Sequence, residues 1–463
     1  MAGVGCADAD SQETEAFSGL SLIPPNRTVE EGDSFQLAVT RLERGQSDNV
    51  TQSTNWTLSD PTIATVSPEG QVTATRPGVS LITAQVDGLT VSTSVYVLGR
   101  IDDIQISPTI VRVAKNTTTS LAATVIAKDN TKRAVSSDEV WASDSPRRVT
   151  MSGRTAQAGE PGLATITLST RGRTFTKKVE TLNVELASIT PGPSAALQLV
   201  VGQSRTLSAS GQFTGRTSSN EPVEHTQDVS NYVGFAPADE ADEAFIKVSG
   251  NTVSAVKPGR AVIKVTGQAN TVAQGKEAQL TVDVLEAPSS IALAGPDKLA
   301  LKGEPVTMRV NGTVGTATVN VSSLATLKAE PAGIVYISGT TLTPMKAGEV
   351  TLTATVGSKE SAKKATMTLS VQDVPSTSVA IGENAGTVAV GQTLKLTSTE
   401  TFQSDITQDV TRQTLWLSDN PAVAAVDNAG GASGTVTGLS TGSATITAYY
   451  RGQYVGSTQI RVP

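Results

Sequence analysis

The side chains able to do chemistry are few. His225 is the one histidine in 463 residues and Cys6 the one cysteine, so histidine metal motifs, cysteine cages and an intramolecular disulfide are excluded within one chain. Any nucleophilic triad would have to use His225, which sits in Glu224-His225-Thr226 with no nucleophile motif near it. A solvated histidine in a loop is the expectation. The acidic run Asp239, Glu240, Asp242 and Glu243 offers the oxygen ligands that calcium takes, although its spacing is not that of an EF-hand. A solvated acidic loop is the preferred reading there, as for Asp102 and Asp103. Two carboxylates across a cleft would serve glycoside hydrolysis. The short, strand-rich segments seen here build no deep cleft, so the chain is read as non-enzymatic, with calcium the one cofactor candidate.

The elements that would position such residues are strands. Aromatic residues make up 3% of the chain and hydrophobic ones 38%, and the abundance of Thr, Ser, Val, Ala and Gly suits short strands better than helices. Net charge is −7 with both signs interspersed, so no basic stripe exists to neutralise phosphates and nucleic acid is excluded as a partner.

One stretch recurs. A Val-Thr/Ser pair stands at Val50-Thr51, Val135-Ser136, Val229-Ser230, Val321-Ser322 and Val410-Thr411, and five residues after each hydroxyl comes Trp56, Trp141, Phe235, Leu327 or Trp416. The spacing of roughly 85 to 95 residues is that of a small β-sandwich, which makes these five the structural core. Further along each copy a turn glycine, Gly78, Gly162, Gly259, Gly348 or Gly442, precedes an alternating strand. Glycine there supplies the positive φ of a tight turn. A third anchor opens each copy, at Gly32, Asn116, Gly202, Gly303 and Gly391. About seven strands per copy follow, and no helical period is sustained.

The expected organisation is a flexible acidic tether over 1–17, then sandwiches over 18–100, 101–186, 187–287, 288–374 and 375–463. Short junctions without Gly/Ser tracts imply a semi-rigid elongated rod, on the order of 150–200 Å long.

The pattern of Trp56, Ser59, Asp60, Ala64, Val66, Gly70, Val72, Thr73, Pro77, Gly78, Ile82 and Ala84 resembles the group 2 bacterial immunoglobulin-like domain, also found in the intimin and invasin fold. Trp416, Ser418, Asp419, Val423, Val426, Gly434, Val436, Gly442, Ile446 and Ala448 repeat it, interrupted by an insertion from Asn428 to Gly431. The middle copies depart further: Phe235 and Leu327 replace tryptophan, and the fourth lacks the Ser-Asp turn. The resemblance implies an all-β, tandem immunoglobulin-like architecture and a bacterial surface setting, and names no ligand.

Met1 to Ala7 resembles the end of a bacterial lipoprotein signal, with Gly5 before Cys6 and Gly3 where leucine is usual. Lipidation of Cys6 would make it the one route to a membrane; the alternative is an idle thiol in an acidic tail. The expected role is an extracellular or cell-surface stalk for adhesion or assembly, its partners other surface proteins, glycans or further copies of itself. A phage tail or capsid decoration protein and a non-catalytic arm of a surface enzyme are the alternatives.

Overall fold

The computed structural model describes residues 19–43, 46–135, 138–193, 196–357, 362–382 and 386–463. Cys6 and the expected tether lie outside them, as does Ser136. The chain is all-β, and it divides into two compact units: the described part of Met1–Asp103 with Ile126–Thr131, and Ile104–Val125 with Lys132–Pro463.

Within the first unit the strand Gly78–Val86 shows how the sequence becomes a sheet. Ser80, Ile82, Ala84 and Val86 are buried while Val79, Leu81 and Gln85 are exposed, the period of two that a half-buried strand requires. It pairs antiparallel with Leu89–Leu98 and with Asn55–Leu58, and Leu89–Leu98 pairs in parallel with Arg27–Glu30. A sheet of Ser34–Gln36, Gln71–Ala74 and Ala64–Val66 and another of Gly19–Ile23, Ala38–Glu43 and Gln46–Asn49 complete the unit. Leu22, Val29, Leu37, Val39, Val72, Ile82 and Val95 close the core between them.

The second unit repeats this plan. Its four-stranded sheets join Ala196–Val200, Glu277–Leu285, Gly259–Gly267 and Val233–Pro237, then Lys298–Ala300, Lys363–Gln372, Gly348–Val356 and Ala325–Glu330. In each the short opening strand runs parallel to the long closing one. Arg112–Ala114 does the same against Arg173–Gly192. At the carboxyl end Leu415–Ser418, Gly442–Tyr450 and Gln453–Val462 form the corresponding sheet, and Thr387 bridges Arg461 in parallel.

The strand Arg173–Gly192 passes through the junction expected at Leu186–Ala187. Its first half pairs with Gly162–Thr170 and its second with Ser208–Arg216, the register shifting between Leu186 and Ser188. Ala187 is thus the extra residue of a β-bulge, which turns one strand from one repeat's sheet into the next without a linker. Side chains from both repeats, among them Ala114, Leu182, Phe213 and Ile263, share one core cluster there.

Candidate functional site

The recurring residues fall into equivalent places. Trp56, Trp141, Phe235, Leu327 and Trp416 stand opposite Ala84, Leu168, Val265, Ala354 and Ala448, in every case the sixth residue after the turn glycine. Trp416 (0% exposed), Leu327 (7%) and Trp141 (9%) are buried. Trp56 and Phe235 are half-buried and pack against their cores from the side.

Each of the four described hydroxyls of the Val-Thr/Ser pairs accepts a strand amide. Val39 N donates to Thr51 Oγ1 (2.9 Å), Ala209 N to Ser230 Oγ (2.9 Å), Val310 N to Ser322 Oγ (2.8 Å) and Ser398 N to Thr411 Oγ1 (2.9 Å). The amide of the hydroxyl residue in turn donates to Asn49, Asp228, Asn320 or Asp409, two residues before it. This Asx turn fixes the corner where the chain crosses from one sheet to the other. Sequence reasoning found the hydroxyls and passed over the Asn/Asp that precedes each; the shared Asx-Val-Ser/Thr triplet was the signal.

The Ser-Asp turn also has a definite task. Asp144 Oδ1 accepts from Thr165 N (2.9 Å), Asp419 Oδ1 from Thr445 N (2.7 Å) and Ser59 Oγ from Leu81 N (2.8 Å), each donor three residues beyond the turn glycine. The bond from Thr165 holds the Asp144 carboxyl below its ordinary value. In the third repeat Asp242 Oδ1 accepts from Val262 N (2.9 Å), the same register position. The fourth repeat, which lacks this turn, extends the strand Ala325–Glu330 until Glu330 pairs with Thr351, again three residues past the glycine.

Asp242 therefore corrects the expectation for the acidic run. It is buried (8% exposed), and it also accepts from Asp239 N while Asp239 Oδ1 accepts from Asp242 N. Its oxygens lock a strand, and they do not converge with Glu240 and Glu243 on a cation. Among the described residues no group of three or more His, Cys, Asp or Glu side chains is placed to hold a metal ion. Asp242→Ala should cost about 1.5–3 kcal/mol in denaturant unfolding, since it removes a buried carboxylate that accepts from two backbone amides. Adding EDTA to the purified chain should leave the melting temperature in place.

His225 also differs from expectation. It lies in the strand Pro222–Asp228 opposite Phe213, half-buried, its Nε2 3.1 Å from Gln227 Oε1. Burial pushes the imidazole below its ordinary value, and its side-chain hydrogen-bond partner is the Gln227 amide. Asp102 and Asp103 are exposed on the strand Ile101–Ser107.

What the second unit brings together is a set of glutamine bridges between successive repeats. Gln227 accepts from Ala114 N (2.9 Å) and donates to Thr117 Oγ1 (2.7 Å) and Thr118 O (2.9 Å). Gln408 accepts from Glu304 N (2.9 Å), and Gln203 donates to Asn320 O (3.0 Å). In all three a side-chain amide ties the opening turn of one repeat to the Asx corner of the next. Around Gln408 the Tyr450 hydroxyl lies 3.0 Å from Glu400 and 3.3 Å from Glu304, and Arg451 lies 3.4 Å from Glu304. Burial and these two carboxylates raise the Tyr450 pKa. Ala300, Phe402 and Ile406 seal the same junction with an apolar cluster. Paired amides and apolar contact resist bending.

The site defined by these features is a series of rigid joints between β-sandwiches. Residues 16–96 and 375–453, in the first and last repeats, match the model of the bacterial Ig-like domain (group 2). Ice-binding protein 1 of Shewanella frigidimarina is 26% identical over 442 residues, covering 93% of this chain and 46% of that protein. The chain thus spans less than half the length of that curated relative. Among solved structures, domains 4–9 of the surface layer protein SbsC are 15% identical, with 93% of this chain and 77% of that one covered at a TM-score of 0.24. The N-terminal eight Ig domains of Down Syndrome Cell Adhesion Molecule isoform 1.30.30 are 12% identical, with 96% and 72% covered at 0.28. The sheet order and the family match, and not these superpositions, carry the fold assignment.

Proposed function

We propose that the chain is a non-enzymatic structural segment of a bacterial cell-surface or exported protein, a multi-domain Ig-like spacer that presents loops for adhesion or assembly. The observation that supports it most is the recurrence of one bonded joint: Gln227, Gln203 and Gln408 each tie a repeat to its neighbour. Side chains spent on holding repeats in fixed relation suit a load-bearing or positioning role. The ligand named for Ice-binding protein 1 belongs to a protein more than half of which lies outside the shared segment, so we assign the shared segment the spacing task. Other surface proteins and glycans are the partners we propose, met at exposed loops.

The test is accessibility on intact cells. An epitope tag placed in the exposed turn at Gly172 should be removed by protease added to unpermeabilised cells of the native host, and protection until lysis would overturn a surface location. The purified chain should also show no thermal hysteresis in ice; a clear effect would transfer the relative's ligand to this segment and refute a pure spacer.

A further inference from the structure

The insertion from Asn428 to Gly431 is where the fifth repeat departs from the first, and the structure shows what it does. Its inner side is built into its own repeat: Asn428 accepts from Trp416 N (2.8 Å) and donates to Trp416 O (2.7 Å), and Ser433 Oγ donates to Thr411 O (3.0 Å). Its outer side meets the second repeat. Gln105 donates to Val426 O (2.5 Å) and accepts from Asn428 N (3.0 Å), so one side-chain amide pairs with the loop as a strand would. Ser107 Oγ donates to Asp427 Oδ1 (2.7 Å), and the Lys132 ammonium donates to Ser433 Oγ (2.7 Å) and Asn428 O (3.3 Å). Ser107, Asp427, Asn428 and Ser433 are all at least nine-tenths buried.

An extended series leads one to expect contacts between neighbouring repeats alone. Here repeats three apart in the chain touch, and the loop that touches is the one that the family pattern does not account for. Its interface is polar, whereas the joint between the fourth and fifth repeats carries the Ala300, Phe402 and Ile406 cluster. A polar contact closed over two intervening repeats opens more readily than an apolar joint between neighbours, because its groups exchange their partners for water.

We propose that Gln105, Ser107 and Lys132 form a docking surface for the Val426–Ser433 loop of the same chain, a clasp that closes the last four repeats on themselves and sets how far they reach. This rests on the spacer reading for its purpose. The contact itself is testable in the purified chain whatever its location.

The clasp should respond to pH. Lys132 is lowered from 10.5 to about 8 by burial, with the charge of Asp427 opposing that shift and Lys395 adding to it; Lys177 also faces Asp427, and Arg133 and Arg412 line the adjoining groove. The open form thus binds more protons than the closed one between about 8 and 10.5. Closure gains strength as pH rises through that window.

A disulfide trap decides the matter. In a Cys6→Ser background carrying Ser107→Cys and Asp427→Cys, mild oxidation should give a fast-migrating monomer, and adding Lys132→Glu should cut its yield by about tenfold or more. The Lys132→Glu chain without cysteines should show a larger radius of gyration in small-angle scattering than wild type, with unchanged tryptophan fluorescence. No crosslink, or a crosslinked dimer whose yield rises with concentration, would overturn docking within one chain. So would an unchanged radius of gyration in Lys132→Glu.

Discussion

Trp416→Ala is expected to destabilise its repeat by about 3–5 kcal/mol, while Trp56→Ala should cost roughly half as much. The two tryptophans hold the same register position, opposite Ala448 and Ala84, so the difference lies in their surroundings. Trp416 is 0% exposed, its indole Nε1 donates to Thr411 O (3.2 Å), and Asn428 holds both its backbone groups. Removing the ring leaves a cavity with rigid walls and an unmet carbonyl. Trp56 is half-buried, and its Nε1 has no hydrogen-bond partner among the described residues. Phenylalanine separates the contributions. Trp416→Phe should lose about 1 kcal/mol with its hydrogen bond, and Trp56→Phe should be close to neutral because an unsatisfied N–H is removed. Urea titrations followed by circular dichroism read all four variants; equal losses at the two sites would mean that burial does not govern them.

The same pair marks how much could be read from the chain before folding. The bulky residue and the turn glycine were visible because each recurs as a side-chain type at fixed spacing, and in the sheets each bulky residue stands opposite the sixth residue after its glycine. Exposure was not visible. Whether a tryptophan is wholly or half covered depends on the loop folded over it, and in the fifth repeat that loop is the Asn428 insertion. Gln227 and Gln408 both begin a Gln-Asp-Val-Ser/Thr run, yet a glutamine on a strand edge reads as solvated until a neighbouring repeat is placed beside it. In the joint between the third and fourth repeats the glutamine comes from the other side, at Gln203, so no single sequence position encodes the bridge. Asp242 shows the converse case. Four acidic residues in a row of five read as a solvated loop with calcium as the alternative, while one of them is the structural stand-in for Asp144 and Asp419, displaced by a longer loop. His225 was placed in a loop because polar neighbours surround it, and the pairing with Phe213 that makes it a strand residue lies twelve positions away. The contact between the second and fifth repeats occurs once and leaves no periodic trace, which is why the Gln105 and Asn428 pair was beyond reach.

Among the five turn glycines, Gly259→Ala should be the most damaging replacement, at about 2–4 kcal/mol, with Gly348→Ala near 1–2 kcal/mol. All five turn glycines share nearly the same backbone, with φ of +147° at Gly78, +137° at Gly162, +152° at Gly259, and +150° at Gly348 and Gly442. Strain from a left-handed φ is therefore common to every site and cannot rank them. What differs is the space in front of the missing side chain. A Cβ at Gly259 would fall against the Phe245 ring, whereas one at Gly348 would meet the terminal methyl of Ile334 at 3.1 Å. A flat ring lying against the turn must move as a whole, whereas a flexible isoleucine tip can turn aside. Phe245→Leu should then recover part of the Gly259→Ala loss in the double variant, giving a coupling of the sign expected for a relieved clash. If the two glycines cost the same, or if Phe245→Leu adds its own loss in full, the backbone angle alone sets the requirement and the ring plays no part in it.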